Sequence, residues 1–228
     1  MNKDKQNMIL AEQKAKELFN SVEEQGLIIP GKSERDLAAE IVELARNSFG
    51  IENFWHKKIV RAGANTLHPY NGDPPDLIIQ KDDIVFLDFG PIFEGFEADL
   101  GRTYVMGNNP LKLKLKKDVE TAWHEAKTWY TEKRKLTGAE YFKYVTELAK
   151  KYGWEFAGDI AGHIVGHFPH DQLDPDDLGL DIHPDNHSNI LRPDKQGNSR
   201  YWILEIQFVD KFNKIGGFFE QLLPVAIR

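Results

Sequence analysis

Four carboxylates stand in sequence that otherwise reads as buried strand. Asp88 lies in Ile84-Val85-Phe86-Leu87-Asp88-Phe89-Gly90, and Asp99 follows in Glu97-Ala98-Asp99-Leu100-Gly101-Arg102-Thr103-Tyr104. Glu205 comes after Trp202-Ile203-Leu204, and Glu220 after Gly217-Phe218-Phe219. A charge inside a buried strand is costly unless it is paired or binds a cation. Both stretches read as hairpins, and directly opposed residues of an antiparallel pair share a face. A turn centred between Phe93 and Glu94 would set Asp88 opposite Asp99. One centred between Phe212 and Asn213, flanked by Lys211 and Lys214, would set Glu205 opposite Glu220. A single such acid could face solvent or pair with a base, Arg102 being the natural partner of Asp99. Two opposed pairs point instead to cations, since two divalent ions would neutralise four carboxylates. Oxygen-rich ligation favours Mn²⁺, with Fe²⁺, Co²⁺ or Zn²⁺ acceptable where a histidine joins.

The histidines supply that candidate. Five of eight fall between Gly158 and Asn198, three of them in Gly162-His163-Ile164-Val165-Gly166-His167-Phe168-Pro169-His170. His163 and His167 have the spacing of a helical zinc pair. Ile164 stands where a zincin needs Glu, however, and Gly166 with Pro169 opposes a helix. Asp88-Phe89-Gly90 spells the kinase metal-loop tripeptide, but no glycine-rich phosphate loop accompanies it. The six aspartates from Asp171 to Asp185 lack EF-hand order and read as a solvated loop.

The elements that must position these residues follow from periodicity. A helix is expected from about Asn7 to Glu24, and a second one begins at Ser33, with Asp36 three residues on. Lys57–Arg61 and Leu77–Gln80 read as short strands, and Asp83–Gly90 with Phe96–Met106 as a hairpin. Val119, Trp123, Ala126 and Tyr130 mark a third helix, with Leu111–Leu115 as its approach. Thr137 caps a fourth helix, and Tyr201–Asp210 with Ile215–Ile227 form a second hairpin. Helix–helix–hairpin thus occurs twice, which predicts an α+β fold, one domain over residues 1–228, in which both hairpins join one sheet.

Composition narrows the class further. The net charge of −7 disfavours nucleic acid, and the absence of cysteine excludes disulfides, thiolate zinc and a cysteine nucleophile. No apolar run approaches the ~20 residues of a membrane span, and no signal peptide is visible. A cytoplasmic protein with neither membrane nor nucleic-acid partner is expected.

The ordered set Asp88, Asp99, His163, Glu205, Glu220 resembles the five metal ligands of the pita-bread metallopeptidases, which include methionine aminopeptidases, aminopeptidase P and prolidase. The Asp-to-Asp spacing and Gly162-His163-x-x-Gly166-x-x-x-His170 are similar to that family's motifs. The resemblance covers about Ile51 to Arg228. It implies a pita-bread fold of two pseudo-symmetric halves, two divalent metal ions and hydrolysis of the N-terminal bond of a short peptide. In the roles it implies, Glu205 relays a proton as well as binding metal, His170 contacts the scissile carbonyl, and His68 lies near the substrate amide. Asp99-Leu100-Gly101-Arg102-Thr103 and the His68 segment resemble the Xaa-Pro-cleaving branch. Three features depart from it: Ile206-Gln207 replaces Pro-Gly, Phe218 stands where Arg is expected, and an N-terminal domain is not expected. A rival alignment uses His167 and His183 in place of His163 and His170, at the cost of a nine-residue insertion. Phe54, Trp55, Tyr70 and Phe168 flank the histidine segments and could line an apolar pocket, although core packing is the expectation for Phe54 and Trp55. A monomer or homodimer is expected. The alternatives to a peptidase are a peptide-binding module on the same fold and a hydrolase of a non-peptide C–N bond.

Overall fold

A computed structural model describes residues 3–170 and 178–224. The helices begin and end where their capping residues dictate. α1 is Lys3–Glu24 and α2 is Glu34–Phe49; the Ser33 hydroxyl accepts the Asp36 amide, and Gly50 closes α2 in the left-handed region. α3 is Pro110–Thr131, with Asn109 capping its first turn and proline at its first position, so the alternating Leu111–Leu115 run is helix. α4 is Gly138–Tyr152, opened by a reciprocal capping box between Thr137 and Glu140.

The strands are β1 (Ile59–Ala62), β2 (Ile84–Phe89), β3 (Ile92–Phe93), β4 (Phe96–Glu97), β5 (Leu100–Val105), β6 (Glu155–Phe156), β7 (Ile164–Val165), β8 (Tyr201–Asp210) and β9 (Ile215–Leu222). The main sheet runs β1-β2-β5-β9-β8-β6, with β7 added on β8. The order is palindromic in the two halves: β1-β2-β5 from the first meets β9-β8-β6 from the second. Alternation decides the faces. Leu204, Ile206 and Phe208 of β8 pack with Trp123, Val119 and Phe219 under α3 and α4, while Val85, Leu87 and Phe89 of β2 pack under α1 and α2. Glu205, Gln207, Phe86, Asp88, Phe218 and Glu220 fall to the other face.

Three expectations need correction. Asp88 is opposite Gly101, not Asp99, because the first hairpin turns at Glu94-Gly95, both at positive φ. This turn lies one residue beyond the Phe93/Glu94 centre, so the register moves by two and Asp99 becomes a diagonal neighbour of Asp88 on the same face. Phe96–Met106 is not one strand; it breaks at Ala98-Asp99, which frees Asp99 from the ladder. Leu77–Gln80 makes only a bridge from Ile78 to Ser33. The second hairpin has the expected register, with Glu205 opposite Glu220. Of the aspartate run, Asp171, Asp174, Asp176 and Asp177 lie outside the described residues, as do residues 225–227 of the last expected strand.

Candidate metal centre

One row crosses the sheet as Ile59, Asp88, Gly101, Glu220 and Glu205. Its middle member must lack a side chain, because a Cβ on Gly101 would lie 2.4 Å from Phe218 Cε1 and 2.9 Å from Glu220 Cβ. Asp99 comes in from the strand break, and His163 from the segment just before β7. That segment lies against β8 through Ile203 N to His163 O at 2.8 Å and Glu205 N to Ala161 O at 3.0 Å. Approach this close requires glycine at 162: its φ is +134°, and a Cβ there would lie 2.0 Å from Ile203 O.

The two oxygens of Asp99 face different imidazoles. His163 Nε2 is 3.3 Å from Oδ2, and also 3.6 Å from Glu205 Oε1 and 4.0 Å from Glu220 Oε1. His56 Nε2 is 3.0 Å from Asp99 Oδ1 and 3.5 Å from Asp88 Oδ1. Arg102, the partner anticipated for Asp99, instead donates to Gly101 O, Glu220 O and Gln221 Oε1 and lies 3.9 Å over the Phe219 ring.

Crowding the acids makes the cluster proton-hungry. Burial, against the pull of His56, pushes the Asp88 carboxyl up to about 7; burial, against His163, pushes Glu205 up to about 8. Burial and the charges of Asp99, Asp88 and Glu205 push Glu220 well above the usual range. Burial alone would raise Asp99 too, yet the imidazoles on its two oxygens hold it below the usual range. Burial opposes charge on His56 and His163, but the carboxylates hold both up to about 9. Glu220 Oε2 is buried with no hydrogen-bond partner among the described residues. Oxygen donors with imidazole, one oxygen left over and protons standing in for positive charge fit a divalent cation.

The cluster opens into a cleft of about 340 Å³ whose lining includes Asp88, Asp99, His163, Glu205, Glu220, His68 and His170. His167 and His183 lie outside that lining: His167 packs on Phe96, and His183 accepts the Asp185 amide. His68 caps a 3₁₀ turn, Gly63–Leu67, that is pinned from two sides. Glu34 accepts from Ala62 N, Asn65 Nδ2 and Leu77 N, while Thr66 Oγ1 accepts Gly216 N of β9. Trp55 and Tyr70 line the cleft, Phe54 packs on Phe89, and Phe168 is exposed outside the lining.

Sequence reasoning missed three contributors. His56 is one. Glu97, buried on β4, accepts from Gly166 N, His170 N and His170 Nδ1, the last at 2.6 Å. Arg61 also lines the cleft and donates to Gly72 O. Glu97 could have been found, because it stands two residues before Asp99 and so shares its parity. Nothing in the local sequence distinguishes His56.

The sequence profile of metallopeptidase family M24 matches residues 6–195. A Mycoplasma pneumoniae protein provisionally assigned as an Xaa-Pro aminopeptidase is 30% identical over 184 residues, 77% of this chain and 46% of that one. The Xaa-Pro dipeptidase of Pyrococcus furiosus is 28% identical over 158 residues, 68% of this chain and 40% of that one. The chain thus spans less than half the length of these relatives. Among solved structures, a prolidase from Thermococcus sibiricus superposes with a TM-score of 0.78 at 22% identity, covering 100% of this chain and 57% of that one. A methionine aminopeptidase from Thermotoga maritima gives 0.75 at 17% identity, covering 99% and 94%. The fold is that of the pita-bread enzymes, and a profile match over most of the chain settles the lineage: the protein belongs to metallopeptidase family M24.

Proposed function

We propose that residues 1–228 form one catalytic domain that binds two divalent ions, Mn²⁺ or alternatively Co²⁺, Fe²⁺ or Zn²⁺, and hydrolyses the N-terminal bond of short peptides, Xaa-Pro bonds in particular. The observation that carries this reading is the convergence of Asp88, Asp99, His163, Glu205 and Glu220 on one face of the sheet, at the floor of a cleft. These five residues would hold the ions. Bound there, the ions would supply Lewis acidity and a nucleophile near neutral pH.

The chain's own groups supply the rest. Glu205, on the same face of the sheet as the other donors, would take a proton at a carboxylate oxygen and return it to the departing amine. Glu97 accepts from Nδ1 of His170 and so orients that ring; its Nε2 would donate to the carbonyl oxygen, as charge develops there, from the ring protonated at both nitrogens. His68, at the mouth of the cleft, orients the substrate amide. Trp55, Tyr70, Phe86 and Phe218 offer apolar walls to the side chain and to a proline ring. The Xaa-Pro preference is supported by relatives named as an Xaa-Pro aminopeptidase and an Xaa-Pro dipeptidase, which match 68–77% of this chain.

A panel of Ala-Pro, Ala-Pro-Ala, Met-Ala and Ala-Ala tests the reading on protein stripped by chelator and reloaded with Mn²⁺ or Co²⁺. Turnover of the Xaa-Pro substrates that disappears on stripping and returns on loading is expected. Turnover of Met-Ala with none of Ala-Pro would move the substrate class, and no turnover of any peptide would overturn the peptidase reading.

A further inference from the structure

We propose that His56 is a sixth metal ligand, which gives each of the two ions its own imidazole. This rests on the metal-dependent reading above and refines the donor set. Two ligand groups emerge from the geometry and share Asp99: His56, Asp88 and Asp99 on one side, and Asp99, His163 and Glu220 on the other. Within each group one donor atom per residue lies within 4.8 Å of the others. Donors on a common ion at about 2.1 Å stand about 3–3.5 Å apart, and His56 Nε2 is 3.0 Å and 3.5 Å from its two carboxylate oxygens.

His56 is built in the same way as His163. His56 Nδ1 is 2.5 Å from the carbonyl of Lys57, and His163 Nδ1 is 2.8 Å from the carbonyl of Ile164. In both rings the neighbouring carbonyl takes the Nδ1 proton, which directs Nε2 at the acids, the usual arrangement of a metal-bound imidazole. Nor is His56 a stray surface residue, since its side chain is 4% exposed. Its segment is tied down by Trp55 N to Gly90 O, Trp55 Nε1 to Ala98 O and Ile92 N to Asn53 O. Position 90 must be glycine for this, because a Cβ there would lie 2.2 Å from His56 Cδ2 and 2.3 Å from Trp55 Nε1. Nitrogen at both positions moves the preference from Mn²⁺ towards the borderline ions Zn²⁺, Co²⁺ and Fe²⁺.

Zinc titration of the stripped protein, with X-ray absorption of the Zn²⁺-loaded form, tests this. Wild-type protein should take up two ions and show two imidazole nitrogens per pair of zincs. His56→Gln should weaken one binding step at least ~10-fold and leave one imidazole per pair, with the second step kept. One imidazole per pair in the wild type would overturn the assignment and leave the metal reading intact; that count needs no variant. Unchanged isotherms for a folded H56Q protein would overturn it too. Wild-type protein that binds no divalent ion would overturn the parent reading along with it.

Discussion

Replacing Glu220 with Gln should stabilise the metal-free protein and destabilise the loaded one. Glu220 is 2% exposed, with one oxygen unpartnered among the described residues and three other acids nearby. A carboxyl that must stay protonated in the folded state costs about 1.4 kcal/mol for each pH unit above its unfolded value. At pH 6.5, two units above the ordinary glutamate value of 4.5, that is at most ~2.7 kcal/mol. Water entering the cleft reduces the cost, so a gain of ~1–2 kcal/mol is expected from the neutral amide. For a chain of this length ~1 kcal/mol moves Tm by ~2–4 °C, so the stripped E220Q protein should melt ~3–6 °C higher than wild type. Loading reverses the sign. Two ions, each at a hundred times its Kd, should stabilise the wild type by ~5 kcal/mol, or more than 10 °C. E220Q has one anionic donor fewer and should keep less than half of that. Differential scanning calorimetry at pH 6.5, with chelator and with excess Mn²⁺, reads both arms. Equal Tm losses for E220Q in both conditions would refute the reasoning, because they would make Glu220 a packing residue.

Three further outcomes follow from the same structure. The stripped wild-type protein should lose stability as pH rises from 6 to 9. Asp88 and Glu205, raised to about 7 and 8, leave the folded state holding protons that the unfolded chain has already released above its ordinary values near 4. His56 and His163 add stability that is present below 6.5 and lost as pH passes about 9. Melting curves at pH 6, 7.5 and 9 should show a fall of at least ~5 °C that saturating metal flattens, whereas a rise would contradict these directions. Glu97→Gln should lower kcat ~10–100-fold with little change in metal uptake, because it loosens the His170 ring and its tautomer; unchanged kcat would place His170 outside the reaction. Glu34→Ala should cost ~2–4 kcal/mol by leaving the buried Ala62 amide unpaired and taking one partner each from Asn65, which keeps Pro75 O, and the half-buried Leu77 amide, and KM should rise as the His68 turn loosens; urea denaturation and steady-state kinetics read the two effects.

The sequence determined whatever rests on local pattern. Ser33, Asn109 and Thr137 set the starts of α2, α3 and α4, because each side-chain oxygen satisfies amides within its own first turn. The β8–β9 register was legible because a four-residue polar turn and the apolar alternation agree, and with it came the Glu205–Glu220 pair. The face shared by Asp88 and Asp99 was legible too, since a register error of two residues preserves parity. What the sequence left open depends on contacts distant in the chain. Only the tertiary structure placed His163 rather than His167 beside Asp99, because the segment that carries them is fixed by its pairing with β8, 38 residues on from Ile164 to Trp202. Only it brought His56, 43 residues before Asp99, against that carboxylate. That approach depends on the missing side chain of Gly90 and the hydrogen bonds that hold the Trp55 segment, neither of which leaves a periodic trace in the sequence around His56.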